Sequence, residues 1–166
     1  MKKIFLLIIL VNALSLYATE NLKIQTYQND RFNFSIDYPS SIFINKEFPA
    51  NGDGVTMISE NKKVTLVVSG TNAVITQDIE EIYKRYTQWL EEKKDTKLTY
   101  KVQKKNWFTL SGFKNKKKTI FYEKKVLLNE ETFGYYLEYP AVEKKKYSRI
   151  IKILNKSLKK GKKKKH

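Results

Sequence analysis

Residues 118–139 read KTIFYEKKVLLNEETFGYYLEY. Two runs in this stretch, Lys118–Leu128 and Thr132–Tyr139, are rich in aromatic and β-branched residues, and a short polar segment containing Asn129 separates them. Such composition favours strands, and Pro140 ends the second run because proline cannot continue a β-ladder. The stretch therefore predicts two antiparallel strands.

The same composition extends toward the N-terminus and gives way to a helix toward the C-terminus. Leu98–Val102 and Trp107–Phe113 are further predicted strands, divided by a lysine- and asparagine-containing turn. Beyond Pro140, apolar residues recur at helical spacing and predict a closing helix with one apolar face. These residues are Tyr147, Ile150, Ile151, Leu154 and Leu158.

The residues between the N-terminal segment and Lys94 are also predicted to form strands and a helix. Period-two alternation over Phe32–Tyr38 predicts a half-buried strand, and Val55–Ser59 with Lys63–Thr71 predicts a hairpin. Residues 39–54, which include Asn51-Gly52-Asp53-Gly54, are predicted as a loop ending in a tight turn. Gln77–Lys94 has helical periodicity and a capping-box-like start at Asp78 and Glu81.

The element order is thus three strands, a helix, four strands and a helix. Each apolar stripe has to be covered by another layer. We therefore expect an α+β fold in which an antiparallel sheet of about six or seven strands is packed between helices.

The first residues have the three-part order of a secretory signal peptide. Lys2 and Lys3 precede an apolar run, and Tyr17-Ala18-Thr19 allows cleavage after Ala18. The apolar run is well short of the roughly 20 residues needed to span a bilayer, which argues against the alternative of a retained anchor. We predict a Sec-type signal peptide over residues 1–18 and a periplasmic or secreted location in a bacterium.

The composition indicates one folded domain. The 166 residues are 41% hydrophobic and 13% aromatic, and cysteine is absent. Disulfides, thiol catalysis and the lipid-modified cysteine of a bacterial lipoprotein are therefore excluded, and the domain must rely on apolar burial. We expect a single domain over residues 19–158, followed by a disordered lysine-rich tail over residues 159–166.

A set of residues also resembles a known group of proteins. The set is Tyr27, Asn29, Arg31, Phe32, Phe34, Ser35, Tyr38, Pro39, Pro49, Asn51-Gly52-Asp53-Gly54, Asn106-Trp107-Phe108, Ser111-Gly112, Tyr122 and Tyr139-Pro140. Over roughly residues 27–158 the chain resembles small exported bacterial proteins of unassigned role, similar in architecture to the PsbP-like fold of a photosystem II extrinsic subunit. The resemblance implies an antiparallel sheet between helices and a binding or accessory role, and it supplies no catalytic residue or cofactor.

Few catalytic side chains are present. The single histidine is His166, the last residue, so Ser-His chemistry and histidine metal sites are close to excluded. Asp37, Asp53 and Glu138 could supply a carboxylate pair, but their spacing identifies none. We therefore expect a non-enzyme without metal or cofactor.

Two places remain as candidate ligand sites. Asn51 and Asp53 lie in the glycine-rich turn, which lacks the acidic ladder of an EF-hand and is also explained as a structural turn. Trp107 and Phe108, with Tyr135 and Tyr136, would line an apolar groove, although alternating aromatics also serve a core. Trp89 lies off the apolar stripe of its helix and should be partly exposed.

The net charge of +16 suggests an anionic partner. The tail contributes six lysines that would contact an anionic surface: Lys159, Lys160, Lys162, Lys163, Lys164 and Lys165. Anionic lipid or lipopolysaccharide, or a protein partner, suits an exported protein better than nucleic acid, and a merely solvated tail is the alternative.

These observations suggest an exported, non-enzymatic binding or accessory protein. A small lipid- or glycan-binding carrier with an aromatic-lined cavity and a secreted carboxylate-dependent hydrolase are the alternatives.

The leader assignment predicts the start of the exported protein. Mass spectrometry of the protein recovered outside the cytoplasm should give an N-terminus at or near Thr19. An intact Met1 in that product would contradict the assignment.

Overall fold

The computed structural model of the protein describes residues 22–73 and 78–161. The predicted leader, residues 1–18, and the last five residues lie outside this part. Ten strands and two α-helices are present in the described part. In chain order they are β1 (Ile24–Asn29), β2 (Phe34–Pro39), β3 (Phe43–Glu47), β4 (Gly54–Ser59), β5 (Thr65–Asn72), α1 (Ile79–Glu91), β6 (Thr96–Gln103), β7 (Trp107–Lys114), β8 (Thr119–Leu128), β9 (Glu131–Pro140), a 3₁₀ turn (Ala141–Glu143), α2 (Lys144–Ser157) and β10 (Lys159–Lys160).

Seven strands form one large antiparallel sheet in the order β3-β4-β5-β9-β8-β7-β6. The remaining three form a small antiparallel sheet in the order β1-β2-β10. The expected α+β architecture is confirmed.

One face of the large sheet, which we call the α2 face, builds the main core. Leu66, Tyr135 and Leu137 project from it and are fully buried against the small sheet and α2. From the covering layer come Phe34, Ile36 and Tyr38 of β2 and Tyr147, Ile150 and Leu154 of α2. Burial of so many large side chains is the stabilising term available to a chain without cysteine.

The polar atoms of this core are paired. The Tyr135 hydroxyl donates to Asn155 Oδ1 at 3.0 Å, and Asn155 Nδ2 donates to the Tyr122 hydroxyl at 2.9 Å. Burial raises the pKa of Tyr135, so the phenol stays protonated and keeps this donor. The bridge ties α2 to strands β8 and β9.

The opposite face of the large sheet, the α1 face, is covered over only part of its width. Ile79, Ile82 and Leu90 of α1 pack on Phe108, Leu110 and Phe121 of β7 and β8. The helix begins at the predicted N-cap, where Asp78 Oδ1 accepts from the Glu81 amide at 2.9 Å. The two helices therefore lie on opposite faces of the sheet, as predicted.

Three strands were not predicted. Residues 39–54 contain β3, in which only Phe43 is buried, so its sequence lacks the period-two pattern that marks a strand. β1 is likewise mostly exposed. Both are held by the backbone hydrogen bonds of their neighbours, which sequence periodicity does not report.

The third strand that was not predicted, β10, lies at the start of the predicted tail. Lys159 and Lys160 pair with Ser35 and Phe34 of β2, and the Gly161 amide donates to Asn33 O at 2.6 Å. The prediction that disorder begins at Lys159 is therefore wrong for these residues, because the edge of β2 offers unpaired backbone groups that the chain after α2 completes. Lys162–His166 lie outside the described part.

Neither helix in the described part of the chain is both long and apolar enough to cross a bilayer.

The turn between β8 and β9 offers a test of the hairpin geometry. Asn129 and Glu130 have φ of 53° and 61°, the left-handed conformation of a two-residue type I′ turn, which favours Asn-Gly. Replacing Glu130 by glycine should raise the free energy of unfolding by up to about 1 kcal/mol, because glycine adopts this conformation without the Cβ penalty. Urea denaturation provides the measurement, and Glu60→Gly serves as the control at a turn position with no positive φ in the structure. A lower stability for Glu130→Gly than for the wild type would contradict the turn geometry.

Candidate functional site

A cleft opens where α1 leaves the α1 face uncovered. It lies between the second half of the helix and strands β5, β9 and β8, and it has a volume of about 400 Å³. Its lining combines rings, amines and a carboxylate: Val67, Ser69, Tyr86, Trp89, Leu90, Lys93, Lys114, Glu123, Lys125 and Tyr136.

Antiparallel register brings the polar residues together on the floor of the cleft. Glu123 of β8 pairs with Tyr136 of β9, and Phe121 pairs with Glu138, so these side chains share the α1 face. Lys125 follows two residues after Glu123 and joins them.

Glu123 is the most deeply buried charged group of the cleft, with 5% of its surface exposed. Its partner is Lys125, whose Nζ lies 3.8 Å from Glu123 Oε1. Burial raises the pKa of Glu123, and the positive charge of Lys125 opposes the rise. A carboxyl buried in this way holds its proton more tightly than an exposed one does.

A second polar group lies beside it. The Tyr136 hydroxyl donates to Glu138 Oε2 at 2.6 Å, and Lys114 Nζ donates to both Glu138 Oε2 at 2.8 Å and the Tyr136 hydroxyl at 2.9 Å. Burial, followed by the bond to Glu138, raises the pKa of Tyr136. The phenol is therefore a fixed hydrogen-bond donor.

The rim of the cleft is aromatic. Trp89 is 52% exposed, as its position off the apolar stripe of α1 predicts, and it meets Tyr86 edge-on with ring centroids 6.5 Å apart. Lys93 Nζ lies 3.3 Å from the centroid of the Trp89 ring, and Lys125 Nζ lies 5.7 Å from that of Tyr86. An exposed indole backed by a cation is a platform for a flat or ring-shaped ligand.

The predicted aromatic groove is divided by the register. Tyr136 lines the cleft, and Phe108 is buried under α1 on the same face. Trp107 and Tyr135 point to the opposite face, because adjacent residues of a strand alternate between faces. The expectation that all four line one groove is therefore wrong.

Trp107 has its own neighbour on the α2 face. Lys124 Nζ lies 4.9 Å from the centroid of its ring, and burial lowers the pKa of Lys124. Trp107 is half-buried and remote from the cleft, on the other side of the sheet.

Asn51 and Asp53 are held by other residues of the protein. Arg31 Nη1 lies 2.7 Å from Asp53 Oδ1 and also donates to Asn51 O, while Asn51 Nδ2 donates to Asp53 Oδ2 at 2.6 Å. Asn29 Nδ2 donates to Gly52 O at 3.0 Å. Asn51 and Asp53 thus act within the structure as a clasp between this turn and the β1–β2 connection.

The lysines at the beginning of the tail differ in their contacts. Lys160 Nζ donates to Phe32 O at 2.7 Å and pairs with the Glu131 carboxylate, whereas Lys159 is exposed. The prediction that Lys160 contacts an anionic surface conflicts with this pairing, because its ammonium is already occupied. Lys162–Lys165 lie outside the described residues.

Sequence reasoning missed Glu123, Lys125, Lys114 and Lys93. The three carboxylates that it named are apart: Asp37 is on the small sheet, Asp53 is in the clasp and only Glu138 adjoins the cleft. The signal that could have found Glu123 was the β8–β9 hairpin, because a two-residue turn at Asn129-Glu130 fixes the pairing of Glu123 with Tyr136. Within residues 22–73 and 78–161, no cluster of side chains suited to a metal ion occurs.

Comparison with known proteins identifies the fold. No protein-family model matches the chain, and no curated protein sequence matches it significantly. The solution structure of the cyanobacterial PsbP protein CyanoP from Synechocystis sp. PCC 6803 is similar, with a TM-score of 0.66 at 9% identity over 86% of this chain and 95% of that one. The crystal structure of LpqN, involved in cell envelope biogenesis of Mycobacterium tuberculosis, has a TM-score of 0.54 at 8% identity over 87% of this chain and 88% of that one. The chain therefore has a PsbP-like fold.

The burial of Glu123 predicts a pH dependence of stability. The folded protein holds the Glu123 proton more tightly than the unfolded chain, so ionisation costs stability as the pH rises above the ordinary value of 4.5. The unfolding free energy of Glu123→Gln should therefore increase relative to the wild type between about pH 4 and about pH 7, as measured by urea denaturation. Glu60→Gln, which removes an exposed carboxylate from the β4–β5 turn, is the control. Its unfolding free energy relative to the wild type should change less over the same pH range, because water solvates that site. If the unfolding free energy of the wild type instead rises relative to that of Glu123→Gln as the pH is raised, the prediction is contradicted.

Proposed function

We propose that this PsbP-like protein is an exported, non-enzymatic accessory protein of the bacterial envelope that binds an acidic glycan in the cleft beside α1. The observation that carries the proposal is the half-exposed Trp89 with Lys93 Nζ at 3.3 Å from its ring centroid, at the mouth of a cleft with a polar floor.

The export part rests on the leader and the composition. The N-terminal sequence has the charge and apolar pattern of a signal peptide, and the chain stabilises itself without cysteine. The structural similarity to LpqN, a protein involved in cell envelope biogenesis, is in keeping with this location.

The glycan part rests on the chemistry of the cleft. Sugars stack their C–H faces on exposed aromatic rings and place hydroxyls against carboxylates, amines and phenols. Trp89 and Tyr86 supply rings, and the Lys114–Tyr136–Glu138 group supplies donors and acceptors fixed within 2.6–2.9 Å of one another. A lipid tail would instead desolvate these charged groups, which is costly. This argues against a lipid carrier at this cleft.

The preference for an acidic glycan rests on charge. The cleft contains Lys93, Lys114 and Lys125 against Glu123 and Glu138. The whole chain has a net charge of +16, of which Lys2 and Lys3 of the predicted leader contribute +2. An anionic ligand is therefore attracted from a distance and meets an excess of amines on arrival. Lysines of the tail would add to this attraction.

A carboxylate-dependent hydrolase is the second candidate, because Glu123 with its raised pKa and Glu138 lie on adjacent strands of one cleft. Against it, each carboxylate is paired with a lysine, Glu123 with Lys125 and Glu138 with Lys114. Hydrolysis of a glycan that stops in Glu123→Gln while binding persists would favour the enzyme over the binding protein.

The two tryptophans allow a direct test. Trp107→Phe leaves Trp89 as the only indole, so its fluorescence reports on the cleft alone. Titration with soluble peptidoglycan fragments that carry free carboxylates should give a saturable change, and neutral chito-oligosaccharides should bind more weakly. In isothermal calorimetry Trp89→Ala should lower the affinity for the acidic fragments about tenfold, the scale of one aromatic stacking contact.

Trp107→Ala is the matched control, since it removes an indole from the other face of the sheet and should leave the affinity unchanged. Equal loss of affinity in Trp107→Ala and Trp89→Ala, or no saturable binding of either glycan, would overturn the proposal.

A further inference from the structure

Lysines gather at the end of the large sheet where β7 turns into β8 and β9 leads into α2. The β7–β8 turn lies beside the segment after Pro140, since Thr119 pairs with Pro140 and the Ala141 amide donates to Lys118 O at 2.8 Å. Residues 114–119 and 140–146 together contain seven lysines and one acidic residue, Glu143. We call Lys116, Lys117, Lys118, Val142 and Lys144, all exposed, the lysine end.

The conformation of the turn works against its sequence. Lys116 and Lys117 have φ of 54° and 69°, the left-handed region that a side chain with a Cβ adopts at a cost. Asparagine or glycine would adopt it more readily, and Asn115 does so at 52°. Lysines in this turn are therefore not explained by backbone preference.

The start of α2 shows a similar conflict. Lys144 is the first residue of the helix, and the first turn contains no acidic residue. Positive charge is unfavourable there, because the helix dipole already places partial positive charge at its N-terminus. In both neighbouring segments, the β7–β8 turn and the start of α2, the lysines lower local stability. Residues that are locally unfavourable are typical of a surface used in binding.

One apolar side chain stands among these lysines. Val142 is 95% exposed, more than any other large hydrophobic residue described. Glu143 lines a groove with Glu60, Lys146 and Tyr147 on the side of the β4–β5 turn. The lysine end therefore combines cations with a projecting apolar group.

We infer that the lysine end docks the protein on an anionic phospholipid bilayer. Lipid phosphates would meet the lysine ammonium groups, and Val142 would enter the boundary between headgroups and acyl chains. A soluble polyanion would use the lysines equally well and leave Val142 without a role, so the exposed valine favours a bilayer. The inference goes beyond the proposed function and does not depend on the cleft.

The docking surface is separate from the described start of the tail, Lys159–Gly161. Lys160 pairs with Glu131 at the first residue of β9, whereas the lysine end follows Pro140, its last residue. The nine steps along β9 from Glu131 to Pro140 separate these two ends of the strand by roughly 30 Å. The two basic regions can therefore be tested independently.

The test uses the exported protein without its predicted leader, residues 19–166, and co-sedimentation with two kinds of vesicle, phosphatidylcholine alone and phosphatidylcholine mixed with phosphatidylglycerol. The protein should bind the mixed vesicles, more weakly as salt is raised, and not the neutral ones. The double variant Lys116→Asn with Lys117→Asn should bind about 25-fold more weakly, since each lysine near an anionic surface contributes about a factor of five. Its thermal stability should be equal to or higher than that of the wild type, because asparagine suits the left-handed turn, so that weaker binding cannot be attributed to unfolding.

The matched control is Lys104→Asn with Lys105→Asn. It removes the same charge from an exposed turn at the opposite end of β7 and should bind nearly as the wild type does. Val142→Ser should weaken vesicle binding up to about tenfold, and should leave binding of soluble polyphosphate unchanged.

Three outcomes would overturn the inference. Equal loss in the two double variants would indicate attraction by net charge alone. Unchanged vesicle binding in Val142→Ser together with tight polyphosphate binding would indicate a soluble polyanion as the ligand. Loss of binding on removal of residues 162–166, without loss in the Lys116→Asn, Lys117→Asn variant, would assign the contact to the tail.

Discussion

The structure depends on a sheet whose central strands are buried on both faces. Phe133, Tyr135 and Leu137 of β9 face one layer, while Tyr136 faces the other. Because no disulfide can hold the covering layers, they must be held by apolar contact with the sheet. α2 and the small sheet cover one face broadly. α1 covers the β7–β8 half of the other face and leaves the rest open, and this unequal coverage creates the cleft.

Charges in the cleft are tolerated because they are paired. Glu123 with Lys125, and Glu138 with Lys114 and Tyr136, place two carboxylates and two amines on a face that continues as apolar core beneath α1. Replacing such groups by apolar residues would cost the fold little and often stabilises a protein. Their presence where the sheet is open, next to an exposed indole, is therefore better explained by recognition than by stability.

The cleft and the lysine end suit different partners. The cleft is concave, with fixed donors and rings that match a small polar ligand. The lysine end presents exposed cations and a single, almost fully exposed valine. A protein that holds an envelope glycan in one site while resting on a bilayer through another would combine both surfaces. The clasp of Arg31 with Asn51 and Asp53 serves neither, since its polar groups bind one another.

Most of the fold was predictable. β2 and both helices bury one regular stripe each and leave a periodic pattern. The runs that form β4–β9 are rich in aromatic and β-branched residues, a composition that favours strands. β1, β3 and Lys159–Lys160 were not, because backbone pairing holds them and few of their side chains are buried. Of the site, only Tyr136, the exposure of Trp89 and the availability of Glu138 were foreseen. The sequence by itself determined both helices and the seven strands that bury apolar side chains or carry strand-forming residues, because local periodicity and composition reflect burial. Only the tertiary structure decided that Trp107 and Tyr136 lie on opposite faces and that Glu123 lies in a cleft beside α1, because register and helix placement depend on contacts between segments distant in the chain.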